Sequence, residues 1–348
     1  MLDHPSFDQH ERVVFAHDAS TGLRAIVAVH SSARGPAAGG CRFWHYDSTD
    51  DAVADALRLS RGMSYKNAMA GLPLGGGKAV VMVDASRPKT PAMLEAFGRF
   101  VDSLNGQYIT AEDVGASVAD MEIVADQTRY VSGLPRTAVT SDGNPSPKTA
   151  LGVYLGIKAA VKFKLKKDEL RGLTVAVQGL GGVGYELCKL LAADGAKLIV
   201  ADVREAVTQK AAAQFDAVVS TPDQVLFERA DVVAPCALGA IFDATTIPKL
   251  QTSIVAGAAN NQLATAADGA RLHAAGVLYA PDYVINAGGI ISVGREYLGG
   301  ATADSILAEI HRIPVRLTEI FARSNATDRP TSELADEMAR QLLLAEAR

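Results

Sequence analysis

The chain is 348 residues long, 48% hydrophobic and 21% charged, with a formal net charge of -5. That length is long for a single core and comfortable for two domains. A mildly acidic balance with no basic block offers nothing to a nucleic acid, while the polar start Met1-Leu2-Asp3-His4-Pro5 is no signal peptide and no stretch nears about eighteen consecutive apolar residues, so a cytoplasmic protein with no membrane partner is expected.

Residues 12–30 read as a hairpin, with strands over 13–16 and 25–29 and a turn between them. A helix capped at Ser48-Thr49-Asp50 follows, carrying Ala52, Ala56, Leu57, Leu59 and Met63 at helical spacing and Lys66 and Asn67 near its end. The apolar run 79–83 suits a buried strand, which puts Gly75-Gly76-Gly77 in a turn and Lys78 at the strand's entrance. A helix over about 90–104 stops at Asn105-Gly106, and a strand over 108–110 delivers Asp113 at its end, where a loop can aim it. Ser141-Asp142-Gly143-Asn144-Pro145-Ser146-Pro147 is a linker signal, because its turn formers and prolines break both periods. The predicted domains are therefore 1–140 and 141–324, with the last helix, about 325–348, packing back on the first. Beyond the linker come a helix over 149–163, a strand over 173–177, a glycine-rich turn, a helix and a strand over 197–201, which make a βαβ unit. Strands at 232–234, 253–256 and 277–279 continue a doubly wound sheet. Residues 303–321 and 331–347 read as helical.

Gly179-Leu180-Gly181-Gly182-Val183-Gly184 fits the GxGxxG fingerprint in the required context, after a strand and opening a helix. Gly179 permits the tight turn, Gly181 lets backbone approach a pyrophosphate, and Gly184 lets the helix pack closely. Asp202 ends the next strand, where a carboxylate accepts hydrogen bonds from an adenosine ribose and repels a 2'-phosphate. NAD is therefore the expected cofactor, with Arg204 leaving NADP open.

Gly75-Gly76-Gly77-Lys78 is not a P-loop, which needs four residues between its glycines and Ser or Thr where this chain has Ala79. Lys66, Lys78 and Asp113 instead suit proton transfer. A lysine in a glycine-lined, poorly solvated pocket beside another cation finds its ammonium disfavoured, while the second lysine can hold a carboxylate and Asp113 can accept from an amine. Spacing alone leaves a surface ion-pair network equally open. Cys41, Cys188 and Cys236 stand in no paired spacing, which argues against disulfides and zinc, and the seven histidines show no ligand spacing, so no metal is predicted.

Several segments together resemble the glutamate, leucine, phenylalanine and valine dehydrogenases, in particular the leucine and phenylalanine members: 35–40, 58–78, 108–115, 143–152, 175–184, 234–239, 256–263 and 279–289. The resemblance spans nearly the whole chain. It implies an α/β fold in which an N-terminal domain with a mixed sheet binds substrate and oligomerises, and a Rossmann-type domain binds NAD across a cleft. It also implies a reversible oxidative deamination of an L-amino acid to a 2-oxo acid and ammonia, in a homo-oligomer.

By that resemblance Lys78 is similar to the catalytic lysine, Lys66 to the lysine that holds the substrate carboxylate, and Asp113 to the carboxylate that moves protons at the amino group. Gly40 would offer its amide to the carboxylate, Asn261 would face the substrate, Asn260 the nicotinamide ribose and Thr149 the nicotinamide amide. Cys236 and Ala237 would line the cofactor groove beside Gly182 and Val183. A substrate pocket of Ala38, Met63, Ala111, Ile290 and Val293 is wholly apolar, so a glutamate side chain would be left desolvated and unpaired. Small Ala38 widens the pocket toward phenylalanine, whereas Ala111 and Ile290 look more like the leucine type; leucine and other branched-chain substrates are favoured narrowly. A non-catalytic NAD-binding protein would need the glycines and Asp202 but not Lys66, Lys78 and Asp113 together. A 2-hydroxy acid dehydrogenase would need a histidine beside a carboxylate, and no motif surrounds His273.

Overall fold

The computed structural model describes residues 1–134 and 144–346. They divide into two compact units, the first of Met1–Asn144 with Val293–Ala303 and Ala339–Arg348, the second of Pro145–Ser292 with Asp304–Met338. Part of the expected linker, residues 141–143, lies outside the described residues.

The first unit contains β1 (Arg12–Asp18), β2 (Leu23–Ser31), β3 (Ala37–Ala38), β4 (Cys41–Trp44), α1 (Thr49–Met69), β5 (Gly75–Met82), α2 (Pro91–Ser103), β6 (Tyr108–Ile109) and α3 (Val118–Ala125). Its mixed sheet runs β1-β2-β5-β3-β6, and β4 also pairs with β5. β1 and β2 form the expected hairpin, in register from Arg12 opposite Val29 to Asp18 opposite Leu23. Strand β5 is buried along its whole length because both of its faces are covered. Ala79 and Val81 join a core with Phe97, Val101 and Met121 from α2 and α3. Val80 and Met82, on the opposite face, pack on Ala52, Val53, Ala56 and Leu57 of α1.

One reading of this unit changes, and two of its strands were not foreseen. Gly75, Gly76 and Gly77 belong to the strand, not to a turn before it, and the reason is steric. A Cβ on Gly76 would stand 2.0 Å from the Ser64 backbone nitrogen, and one on Gly77 would stand 2.7 Å from the Tyr108 ring. The glycines let α1 and the Tyr108 ring of β6 lie directly against the strand. Strands β3 and β4 carry no period of their own; both pair in parallel with β5, which is distant in sequence.

The second unit opens with α4 (Ser146–Leu165), β7 (Thr174–Gln178), α5 (Gly182–Ala193), β8 (Lys197–Ala201), α6 (Glu205–Phe215) and β9 (Val218–Val219). It continues with β10 (Val232–Pro235), β11 (Ile254–Val255), α7 (Ala267–Ala274), β12 (Leu278–Tyr279) and α8 (Asp282–Ile285). The sheet order β12-β11-β10-β7-β8-β9 is parallel throughout, as a doubly wound sheet requires. Helix α4 begins inside the expected linker, since a proline is tolerated in a first helical turn.

The chain ends in α9 (Gly288–Leu298), α10 (Ala303–Ile310), α11 (Ile313–Thr327) and α12 (Thr331–Glu346). The region expected as one helix over 303–321 is two, and the second starts where Pro314 fits only near a helix N-terminus. The last helix does not pack back as a whole on the first unit: Asp304–Met338 belongs to the second. Within the second unit the Phe321 ring of α11 packs on Phe163 at 5.5 Å, and at the start of α12 the Thr331 hydroxyl donates to the Tyr279 carbonyl at 2.7 Å. Arg340, farther along, donates to the Tyr65 hydroxyl of the first unit at 2.8 Å.

Candidate active site

The segment from β3 to β4 runs beside β5, pairing Ala38 with Gly76 and Cys41 with Ala79. Between these pairs Gly39 and Gly40 step past Gly77 and Lys78. A Cβ on Gly39 would stand 2.0 Å from the Gly77 carbonyl, and one on Gly40 would stand 2.5 Å from the Glu112 carbonyl. Two glycines therefore let the Glu112-Asp113 loop close over Lys78. The Tyr108 hydroxyl fixes the step by donating to the carbonyls of Gly39 at 2.6 Å and Gly40 at 3.2 Å.

Lys78 is only 5% exposed, and a buried ammonium costs several kcal/mol unless it is paired. Its Nζ lies 2.9 Å from Asp113 Oδ2. The same oxygen accepts from Arg42 Nε at 3.1 Å. Burial works against the Asp113 anion, but Lys78 and Arg42 outweigh it and hold the carboxyl below the usual carboxylate range. Burial pushes Glu112, next to it, upward. Asp113 is thus a buried carboxylate kept ionised by Lys78 and Arg42.

The other expected residues of this unit lie on α1, on β3, in the Ala111 segment and on α9. Lys66 is half-buried in the last turn of α1, where Asn67 donates to the Gly75 carbonyl at 2.6 Å and so ties that turn to β5. Met63 is half-buried one turn earlier, with its Cγ 3.0 Å from where a Gly39 Cβ would sit. Ala38 is buried in β3, and the Ala111 carbonyl accepts from the Cys41 amide at 2.8 Å and from its thiol at 3.3 Å. Val293, on α9, lies 3.6 Å from where a Gly133 Cβ would be. Ile290, on the same helix, is half-buried and belongs to the second unit.

In the second unit the glycine fingerprint divides by cause. Gly179 has φ +90°, and a Cβ there would meet Ala237 at 2.7 Å; a Cβ on Gly184 would stand 1.9 Å from the Gly179 carbonyl. A Cβ on Gly181 would meet nothing within 4 Å. Among the described residues no atom forbids a side chain at Gly181, and the open space lies at the N-terminus of α5, where backbone amides favour an anion such as a pyrophosphate. Gly182 and Val183 form the first turn of that helix.

Asp202 Oδ2 accepts from the Leu180 amide at 2.7 Å, and its Oδ1 accepts from the Arg204 amide and Nε, each at 2.9 Å. The Arg204 hydrogen bonds, above all, hold this carboxyl down at about 2. Arg204 therefore braces the carboxylate. The Thr149 hydroxyl donates to the Pro145 carbonyl at 3.0 Å, which leaves its oxygen to accept from an amide. The Cys236 thiol is pushed up to about 12 by burial, which suits a wall and not a nucleophile.

Asn260 and Asn261 are exposed, and Asn261 adopts φ +51°. Their loop is braced from within by Gln262, whose side-chain amide donates to the carbonyls of Gly257 at 3.0 Å and Ala259 at 2.9 Å. Asn286 donates to Asn260 Oδ1 at 2.8 Å. Sequence reasoning missed Arg42, Tyr108, Gln262 and Asn286. The available signal was a polar residue inside an otherwise apolar or glycine-rich segment. These features together fit a nicotinamide dinucleotide: an open glycine at a helix N-terminus, a carboxylate at the end of the next strand and a braced asparagine loop.

Residues 10–130 match the Glu/Leu/Phe/Val dehydrogenase dimerisation domain, and residues 200–336 match the Glutamate/Leucine/Phenylalanine/Valine dehydrogenase domain. The chain belongs to this family of amino acid dehydrogenases. It is 48% identical over 332 residues to a leucine dehydrogenase of Geobacillus stearothermophilus, covering 95% of this chain and 90% of that one. It is 45% identical over 351 residues to a valine dehydrogenase of Streptomyces coelicolor, covering 100% of this chain and 95% of that one. The crystal structure of the L-tryptophan dehydrogenase from Nostoc punctiforme superposes with a TM-score of 0.85 at 41% identity, over 97% of each chain. As members of this kind use NAD or NADP, the dinucleotide fit of the second unit is the one its family calls for. Among the described residues no helix is long and apolar enough to cross a membrane.

Proposed function

We propose that this dehydrogenase catalyses the NAD-dependent, reversible oxidative deamination of a hydrophobic L-amino acid, with leucine and other branched-chain amino acids favoured. The observation that carries the reading is the buried pair of Lys78 and Asp113, 2.9 Å apart and walled by glycines. The balanced reaction is L-amino acid + NAD+ + H2O to 2-oxo acid + NH4+ + NADH + H+.

In this reading Lys66 and the Gly40 amide hold the substrate carboxylate. Asp113 takes a proton from the substrate nitrogen, so that its lone pair can form the imine as the α-carbon loses hydride. NAD, when bound, supplies the hydride acceptor. Lys78 then assists the attack of water on the imine carbon, and Asp113 returns a proton to the departing nitrogen. Asn261 faces the substrate, while Thr149, Asn260, Cys236 and Ala237 bound the cofactor groove. Asp202 faces the adenosine ribose, and Arg204 holds that carboxylate in place, which supports NAD over NADP. The first unit carries substrate recognition and assembly into a homo-oligomer, and the second carries the dinucleotide.

Ala38, Met63, Ala111, Ile290 and Val293 offer no partner to a charged side chain, so glutamate is disfavoured. Small Ala38, and a tryptophan dehydrogenase that is 41% identical, support an aromatic substrate as the second reading. Steady-state kinetics with leucine, valine, phenylalanine, tryptophan and glutamate separate the two. Leucine or valine is expected to give the highest kcat/KM with NAD; a phenylalanine or tryptophan efficiency about tenfold above leucine, a difference a methylene or two can produce, would reverse the choice.

A further inference from the structure

We propose that Arg42 is a positioning residue for the reaction, clamped by Asp55 so that its guanidinium fixes the Asp113 carboxylate against Lys78. The proposal rests on Lys78 and Asp113 being the reacting pair. Arg42 is in register with Val80, two residues along β5 from Lys78, and therefore on the same face of the sheet. Its Nε donates to the oxygen of Asp113 that also meets Lys78, at 3.1 Å and 2.9 Å respectively, and another guanidinium nitrogen donates to Asp55 Oδ2 at 2.9 Å.

Asp55 is itself held. Its side chain is only 13% exposed on α1; Tyr46 donates to Oδ2 at 2.7 Å and Arg58 to Oδ1 at 2.9 Å. A carboxylate paired with one flexible lysine can rotate. A second donor, arriving from another strand on a planar and braced fork, removes that freedom. Among the described residues, the titratable and charged groups seen to interact with Asp113 are Lys78 of β5, Arg42 and the Cys41 thiol of β4, Tyr108 of β6 and Glu112 beside it. Only Lys78 and Arg42 among them are cations, so losing Arg42 makes the buried carboxylate harder to ionise.

The test uses the full-length enzyme with L-leucine and NAD, comparing Arg42→Gln, Arg42→Lys, Asp55→Asn and the double variant Arg42→Gln with Asp55→Asn, and Lys78→Ala alongside. Arg42→Gln is expected to lower kcat about tenfold or more through lost orientation, to leave the KM for NAD unchanged, and to move the acidic limb of kcat/KM to higher pH. Arg42→Lys, which keeps the cation but not the fork, returns that limb to its original position with only part of kcat. Asp55→Asn gives a smaller loss, and the double variant loses no more than Arg42→Gln alone, because both act through one contact. A folded Arg42→Gln enzyme with unchanged kcat and pH profile, or additive losses in the double variant, would overturn the proposal. Should Arg42→Gln not fold, unchanged kcat and profile in both Arg42→Lys and Asp55→Asn would overturn it equally. Undiminished turnover in Lys78→Ala would instead overturn the assignment of the reacting pair.

Discussion

Asp113 joins two demands that usually conflict, burial and ionisation. Two cations on one oxygen settle the conflict in favour of the anion. Replacing Asp113 by Asn keeps the shape and removes the proton acceptor, so kcat should fall by about 10²- to 10⁴-fold, the usual worth of a general acid or base; a loss below about threefold in steady-state kinetics would deny it that role. The fingerprint glycines give a second residue-scale contrast. A Gly184→Ala methyl would collide with the Gly179 carbonyl at 1.9 Å, and overpacking of that kind costs about 1–3 kcal/mol. A Gly181→Ala methyl meets no atom of the described residues within 4 Å. Thermal melts should therefore separate the two, with Gly184→Ala destabilised and Gly181→Ala near parental, while titration of NADH fluorescence should show Gly181→Ala binding more weakly. Equal melting temperatures with equal NADH affinities would contradict the steric division.

At the scale of elements, the β1–β2 hairpin carries a titrating device. The pairing of β2 with β5 shifts register between Val29 and Ser31, and the His30 ring there contacts Ser64 Oγ at 2.8 Å and the His10 ring at 4.9 Å. Burial, reinforced by His10, pulls His30 down to about 4, and burial also lowers His10. Because the folded value lies below the unfolded one, near 6.5, the unfolded chain binds more protons within that window. Stability is therefore fully present above about pH 6.5 and is lost as pH falls toward about 4, at up to about 1.4 kcal/mol per pH unit for His30. Urea midpoints measured between about pH 7 and about pH 4.5 should fall, and His30→Asn should flatten the fall; an identical slope in that variant would contradict the argument.

The elements also show what sequence can carry. The hairpin, α1, α2 and the βαβ unit announce themselves by local period and caps, and Lys78 and Asp113 by the resemblance of their segments. Strands β3 and β4 do not, because their pairing with β5 is set by tertiary contacts alone. Arg42, which sits on β4, was hidden with them. Gly75–Gly77 reads as a turn by composition, yet the space denied by Ser64 and Tyr108 makes it strand.

At the scale of the whole molecule, α9 and α12 each contribute residues to both units. Of α12, the part from Ala339 onward belongs to the first unit, where Arg340 donates to Tyr65 and Tyr65 stacks edge-on with His30 at 6.1 Å. Ending the chain at Met338 should lower the melting temperature by removing that contact and its burial; an unchanged melt would show that the segment adds nothing to the first unit's stability. The proposed division of labour between the units is also open to direct measurement. Assay Lys78→Ala for reduced-nicotinamide formation with L-leucine and NAD, and measure NADH binding to the same preparation. Turnover should fall by about 10²-fold or more with NADH affinity unchanged, whereas intact turnover, or lost NADH binding in a folded enzyme, would contradict the assignment of Lys78.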